Sequence, residues 1–540
     1  MIAREDLTAA ARLLAGLPPF LHRRVTPEEG GAEVCRRLAA RNADFLELLR
    51  RAVFEQPDNP YRILLRAAGC ELGDVGNLVA REGLEGALAD IRRRGVYLTI
   101  EEFKGRRPVV RGTTRLDVDP TQLRNPLSSV HVRSESSGSR GPRTAVGMDL
   151  AFVRDHAANV AVFLGARGGL RWRQALWSVP GGYAMRVLLR LAAAGAPPAR
   201  WFSQIDPAAP GLHARYRWSA RMLRLGSLSA AVPLPSARFA PLEAPLEVAR
   251  WMAGVLERGE VPHLFTFPSS AVRLCEAAAE ADVSLRGAQF WLTGEPVTAR
   301  RLEVITRAGG DAVGHYGSSE CGGPVAYGCL HPARRTDLHL LSDMHALVQA
   351  EPDADLPEGL PPRALLYSSL RATAPFVLLN LAIGDEAVVE PSTCGCPMAA
   401  SGWTTTLRDV RSYAKLTAGG MSILDADMVD ALENALPKRF GGGPTDYQLV
   451  EDEDAQGHPR LRLLVHPRLG ALDPRAVTEA LLGAIGSGHG IERVTELAWR
   501  DGGVVHVERK PPIATQTGKI RHFHLERALG SARPPRPGGA

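Results

Sequence analysis

Between residues 260 and 323 one local pattern recurs. HLFTFPSSAVRLCEAAAEA gives a short apolar strand, a proline-marked turn and a helix. GAQFWLTGEPVTARRLEVITRAG gives strand, loop and helix again, and DAVGHYGSSECGG starts a third round. Strands separated by helical segments predict an α/β sheet. Ahead of this region, residues 1–110 are largely helical in pattern: LTAAARLLAGL, AEVCRRLAARNADFLELLRRAVF and GLEGALADIRRRG carry apolar residues at helical spacing. Residues 111–145 turn irregular, and GMDLAFVRDHAANVAVFLGARG and GYAMRVLLRLAAAG are expected as helices after them. RALLYSSL, APFVLLNLAIGDEAVVE and WTTTLRDVRSYAKLT are β-rich. From about residue 412 a smaller α+β unit is expected: helix DADMVDALENAL, strand PRLRLLVHP, helix PRAVTEALLGAI and strand GGVVHVER.

A chain of 540 residues with 45% hydrophobic side chains is long enough for two or more domains with full cores. The formal charge is only +6, and the basic residues are scattered among acids, so neither a nucleic acid nor a membrane surface is implied as partner. The N-terminus lacks the apolar core of a signal peptide, and no stretch of about 18 uninterrupted apolar residues exists. Both point to the cytoplasm. Seven cysteines fit that compartment. Cys35, Cys70 and Cys275 lie in helical patterns and are expected in the core, whereas Cys321, Cys329, Cys394 and Cys396 crowd into one region.

Five short segments carry candidate chemistry: SSGSRG at 136–141, LTGEP at 292–296, HYGSSE at 315–320, IGD at 383–385 and TGKI at 517–520, with Arg411 between the last two. Alone, the Ser/Gly run is an ordinary turn by composition. Taken in order, the five resemble the adenylate-forming superfamily of acyl- and aryl-CoA ligases over roughly residues 125–525. The nearest look is to the phenylacetate–CoA ligase and coenzyme F390 synthetase-like branch. The resemblance implies a large α/β adenylation domain with mixed sheets flanked by helices, plus a small mobile α+β C-terminal domain. The expected division is a helical region 1–124, an adenylation core 125–411, a mobile domain 412–527 and a disordered tail 528–540.

The resemblance also implies roles. Ser136, Ser137, Gly138, Ser139 and Gly141 would cradle the β- and γ-phosphates of ATP, with Arg140 or Arg143 standing in for the family's lysine. Gly294, Glu295 and Pro296 would contact adenine. Tyr316 would stack on it, with Gly317 in the turn, Ser319 on the α-phosphate and Glu320 on magnesium. Asp385 would accept the ribose hydroxyls. Arg411 resembles the family's hinge arginine, with Val410 in place of the usual glycine and Gly420 nine residues on. Lys519 would bridge the carboxylate and α-phosphate during adenylation. Only five of 65 basic residues are lysines, so its appearance there is selective. Phe265, Phe267, Trp291 and His315 are candidates for the acyl pocket. Cys394-Gly395-Cys396, with Cys329 and His339, matches a Cys3His structural zinc site, His331 being a rival ligand.

The implied reaction is ATP- and magnesium-dependent adenylation of an aromatic or medium-sized carboxylic acid, followed by transfer to coenzyme A. A carrier-protein thiol, an amine, nitrite activated for diazotisation, or a non-catalytic nucleotide-binding relative stay open, as does a homodimer.

Overall fold

A computed structural model describes residues 4–135, 145–209, 215–295, 297–350, 360–361, 363–413, 415–418, 421–424, 431–443, 446–454, 458–486, 491–513 and 523–525. Among these, thirteen strands form one sheet. Its parallel half contains Ala237–Phe239, Arg200–Ser203, Arg173–Ser178, Pro262–Thr266, Gln289–Leu292 and Asp311–Ser318, side by side in that order. The strand Asp311–Ser318 is the seam. On its far side it pairs antiparallel with Gly323–Gly328, and the sheet continues through Leu338–Leu340, Thr405–Ser412, Leu381–Pro391, Ala364–Ser369 and His345–Gln349, with the thirteenth strand, Leu98–Thr99, paired parallel to Leu381–Pro391. The predicted α/β sheet is therefore found, with a mixed order.

The parallel strands are buried and continuous in their apolar character, as PHLFT shows with every residue buried. Helices cover them: Pro268–Glu280 and Ala299–Arg307 follow their strands as the sequence predicts. Leu150–Ala166 and Gly182–Ala193 pack on the same sheet. Gly147 and Met148, expected in a helix, instead close the strand Ala145–Met148. Asp149 ends it and caps the next helix by accepting from the Ala151 N–H. The N-terminal region is helical as expected, with Arg4–His22, Pro27–Leu49, Pro60–Ala67 and Leu72–Arg93. Cys35 on the second of these is exposed, against expectation, whereas Cys70, in a turn between helices, and Cys275, on a helix, are both buried in the core as expected.

A separate four-stranded sheet orders Val505–Glu508, Pro459–Val465, Tyr447–Glu453 and Phe523–Leu525. With Pro474–Ile485 it closes a core of its own around Leu461, Leu463, Leu481 and Trp499. The helix Ile491–Asp501 has no counterpart in the expected element list. It seats Val494 and Ala498 on Val179, Ile205 and Phe267 of the large sheet's edge. Arg273 donates to the Gly502 carbonyl, and His458 meets Glu276 at 2.7 Å. No helix among the described residues is long and apolar enough to cross a membrane.

Candidate active site

The seam strand Asp311–Ser318 sends neighbouring side chains to opposite faces. Tyr316 goes one way and donates to Asp385 Oδ2 at 2.7 Å, while the Tyr367 hydroxyl donates to Tyr316 at 3.2 Å. Two segments 69 residues apart in sequence thus meet through their candidate side chains. Burial, and then the Asp385 charge, push the Tyr316 hydroxyl well above its usual range, so it remains a donor. Gly384 has φ +93°, which sets up the bend ahead of Asp385. Arg411 lies in the neighbouring strand, opposite Glu386, and pairs with that carboxylate while staying exposed.

After Tyr316 the strand folds tightly back. A Cβ on Gly317 would sit 2.6 Å from the Gly323 carbonyl oxygen, so only glycine fits that approach. Ser319 is half-buried in the turn. Glu320 is 9% exposed, and its carboxylate lies 3.4 Å from Lys104 Nζ. Lys104 comes from the helical N-terminal region, 216 residues away in sequence, and nothing in its own segment announced it.

At the end of Gln289–Leu292, Gly294 turns the chain with φ +79°. The Glu295 carboxylate points inward. It accepts from Ser269 N at 3.0 Å and Ser269 Oγ at 2.8 Å, and pairs with Arg301 at 3.0 Å. That side chain braces the start of the Pro268–Glu280 helix.

Phe265, Trp291 and His315 form one aromatic cluster with Phe163 and Tyr327, with ring centres 4.8–5.6 Å apart in the successive pairs. Phe267 is not part of it. It packs on Val494 and Ala498, apart from these rings. Arg190, on the Gly182–Ala193 helix, lies over Phe265 and Trp291, its guanidinium carbon 5.3 and 5.9 Å from the ring centres. Burial, and then Arg190, hold the His315 imidazole well below its usual range, so it is neutral.

Cys329, His339, Cys394 and Cys396 bring their ligand atoms within 4.8 Å of one another. His339 Nε2 lies 3.4 Å from Cys394 Sγ and 3.2 Å from Cys396 Sγ. A tetrahedral zinc with sulfur at about 2.3 Å and nitrogen at about 2.0 Å spaces its ligands roughly 3.5 Å apart, so the donor set fits. His339 Nδ1–H donates to the Trp403 carbonyl at 2.7 Å, which leaves the Nε2 lone pair facing the thiols. His331 is exposed; its backbone N–H, not its ring, meets Cys329. The choice between the two histidines, open in the sequence, falls to His339.

Ser136, Ser137, Gly138, Ser139, Arg140, Gly141, Arg143, Pro296, Gly420 and Lys519 lie outside the described residues. Sequence reasoning missed Lys104, Tyr367, Arg186 and Arg190. The one available signal for the arginines was their spacing, two charges four residues apart on an otherwise apolar helix.

No family profile matches the sequence, and no curated protein does. Solved structures do. The chain resembles 2-hydroxyisobutyryl-CoA ligase, crystallised with 2-HIB-AMP and CoA in the thioesterification state, at 16% identity over 91% of this chain and 90% of that one, with a TM-score of 0.56. The amide bond synthetase Mcba from Marinactinospora thermotolerans covers 95% of this chain and 97% of its own at 14% identity and a TM-score of 0.41. The o-succinylbenzoate CoA synthetase from Bacillus subtilis aligns at 12% identity over 73% and 69%, with a TM-score of 0.41. The first likeness shows the fold: this chain folds as 2-hydroxyisobutyryl-CoA ligase does, a large mixed α/β sheet flanked by helices. At that identity the reaction rests on the residues.

Proposed function

We propose that this protein uses ATP to adenylate a carboxylic acid and passes the acyl group to a thiol such as coenzyme A. The observation that carries the proposal is the Tyr316–Asp385 hydrogen bond, which joins two of the five motifs at the carboxyl end of the seam strand. In open α/β sheets, ligands bind outside the carboxyl ends of the strands, where the order changes. Here Leu292, Ser318 and Thr266 end on that edge, and Tyr316, Asp385 and Glu320 are clustered there.

In this reading Asp385 takes the ribose hydroxyls, Tyr316 lies against adenine and Ser319 reaches the α-phosphate. The segment 136–144 holds the β- and γ-phosphates, and Lys519 approaches from the C-terminal unit 412–527. Glu320 supplies the hard oxygen ligands that magnesium prefers, and the ion when bound neutralises phosphate charge. Lys104 takes the role of counter-charge to Glu320 when nucleotide is absent. The acid's carboxylate attacks the α-phosphorus and pyrophosphate leaves; the thiol then attacks the acyl carbon and AMP leaves. Cys329, His339, Cys394 and Cys396 hold a structural zinc, since four protein ligands leave no position for a substrate.

Exchange of labelled pyrophosphate into ATP, over a panel of acids and without coenzyme A, tests the first half-reaction. Lys519→Ala is expected to cut that exchange by about two orders of magnitude or more, because it removes a charge met in the transition state. Thioester formation from a supplied acyl-adenylate should be largely spared. Equal loss in both halves contradicts the assignment, and adenylation without any thiol product moves the acceptor to an amine or another nucleophile.

A further inference from the structure

The aromatic cluster contains more hydrogen-bond donors than the fold can satisfy. Arg190 is 2% exposed and Arg186, one helical turn earlier, 8%. Among the described residues no carboxylate lies within ion-pair distance of either. Arg190 Nε and Nη2 and Arg186 Nε have no hydrogen-bond partner. In the same cluster Trp291 Nε1, the Tyr327 hydroxyl and His315 Nδ1 are also buried and unpartnered. Burial of a charge without a partner is a cost that folding seldom accepts, and buried donors are almost always satisfied. Here the orphans share one place, and most are donors.

The nearest acid does not resolve the imbalance. Glu320 acts on Arg186 at a distance, yet it is already paired with Lys104 at 3.4 Å. Burial pushes the Arg186 guanidinium down to about 10, which leaves it charged at neutral pH. Tyr183 is half-buried at the start of the same helix. Its hydroxyl lies against Arg190 and 3.5 Å from Thr293 Oγ1, so the cluster borders the open edge at Gly181–Tyr183.

We propose that the acid activated here carries a second anionic group, and that Arg190 and Arg186 hold it among the rings of Phe265, Trp291 and His315. The proposal rests on the adenylation reading for the first carboxylate. The group that Arg190 holds is not the reacting one. Arg190 neighbours His315, on the face of the seam strand opposite Tyr316 and Asp385, whereas the reacting carboxylate must meet the nucleotide. A planar oxyanion suits guanidinium groups, which present paired N–H donors, and the flanking rings suit a flat apolar body between the two acids.

The test is calorimetric titration of the full chain with terephthalate, 4-carboxyphenylacetate and glutarate, each against its mono-amide. At least one diacid should bind tenfold or more tightly than its amide, about 1.4 kcal/mol. Arg190→Met and Arg186→Met should each erase most of that preference, and Arg190→Lys should restore part of it. Thermal melting of the same variants controls for folding, and Arg190→Met should melt no lower than the parent. Equal binding of every diacid and its amide, or a preference that survives both methionine variants, overturns the proposal. Pyrophosphate exchange with the same compounds separates the two readings. A diacid that binds through the arginines but supports no exchange sinks adenylation and leaves the subsite. Exchange with mono-acids and no diacid preference does the reverse.

Discussion

Arg37 and Arg190 are the same residue at the same depth, each 2% exposed, and they are treated in opposite ways. Arg37 leaves the second N-terminal helix and reaches into the main body. Its nitrogens meet Glu33 at 2.8 Å, Asp155 Oδ1 at 2.8 Å, the Asp155 carbonyl at 2.9 Å, Asn159 at 3.3 Å and Asp343 at 3.4 Å. Asp343, fully buried, also accepts from Asn159 and from Trp403 Nε1. Arg190 meets two rings and a tyrosine. A buried guanidinium whose acceptors, carboxylates among them, come from three elements of its own chain is part of the fold. One with a single tyrosine hydroxyl and no carboxylate is part of a site that is completed by something else. The difference separates structural from functional charge without reference to any relative.

The largest effect expected is therefore one of opposite sign at the two positions. Arg37→Met leaves the fully buried Asp343 and the half-buried Asp155 without their cation, and breaking a buried pair from one side costs about 3–5 kcal/mol. Arg190→Met removes a desolvated charge that nothing in the described fold offsets, and stability should hold or rise. Thermal and urea unfolding of the two variants reads both. If both lose the same amount, Arg190 is structural and the contrast collapses.

A somewhat smaller effect, about 3 kcal/mol, is expected from the protonation of one buried histidine, His345, in acid. His156, His263, His315 and His345 are buried, and burial holds each imidazole below its usual range, His345 down to about 4. Below about 6.5 the unfolded chain binds protons that the folded chain refuses. Stability is thus full above that pH and declines as pH falls, the His345 contribution being lost by about pH 4. His345 alone contributes up to about 3 kcal/mol across the window. His345→Gln should flatten the acid side of a stability–pH curve by that amount; a curve of unchanged slope refutes the assignment. The same histidines sharpen the arginine comparison. Arg190 adds to the depression of both His315 and His156, so Arg190→Met should move both titrations upward in an NMR pH series. Arg37 acts on His156 less than Arg190 does, and its removal should move that ring less.

What the sequence revealed and what it hid divide along the same line. Of the parallel strands, Pro262–Thr266 and Gln289–Leu292 were legible because each is a short apolar run followed by a helix, and Asp311–Ser318 because it starts the same pattern again; Arg173–Ser178, Arg200–Ser203 and Ala237–Phe239 were not expected. Tyr316, Glu320 and Asp385 were singled out by the resemblance of their short motifs rather than by local pattern, and the fold brings Tyr316 and Asp385 into contact. The Cys394–Cys396 pair was visible as a turn, and His339 won over His331 because it lies inside the buried strand Leu338–Leu340. Arg186, Arg190 and the Lys104–Glu320 pair were hidden because their meaning is set by what packs over them from remote segments. The helix Ile491–Asp501 was hidden because its charged face masks the apolar one that covers Phe267. Cys35 misled for a related reason: helical periodicity says that a helix has a buried face, but an isolated cysteine does not say which face it occupies.

The smallest effect concerns the residue that joins the satisfied network to the cysteine cluster. Trp403 donates its Nε1–H to Asp343 Oδ1 at 2.8 Å, and its carbonyl accepts from His339 Nδ1 at 2.7 Å. Trp403→Phe deletes the first bond and keeps the second, since the carbonyl belongs to the backbone. Asp343 retains Asn159 and Arg37, so the loss should be about 1 kcal/mol, that of one hydrogen bond to a partly compensated carboxylate. Elemental analysis should find one zinc per chain in both the parent and this variant, whereas Cys394→Ser/Cys396→Ser should carry almost none. Zinc lost from Trp403→Phe would mean that the indole, rather than the carbonyl, orients His339. Arg37, Asp343 and the cysteine cluster would then be one cooperative unit, and Arg37→Met should release metal as well as stability.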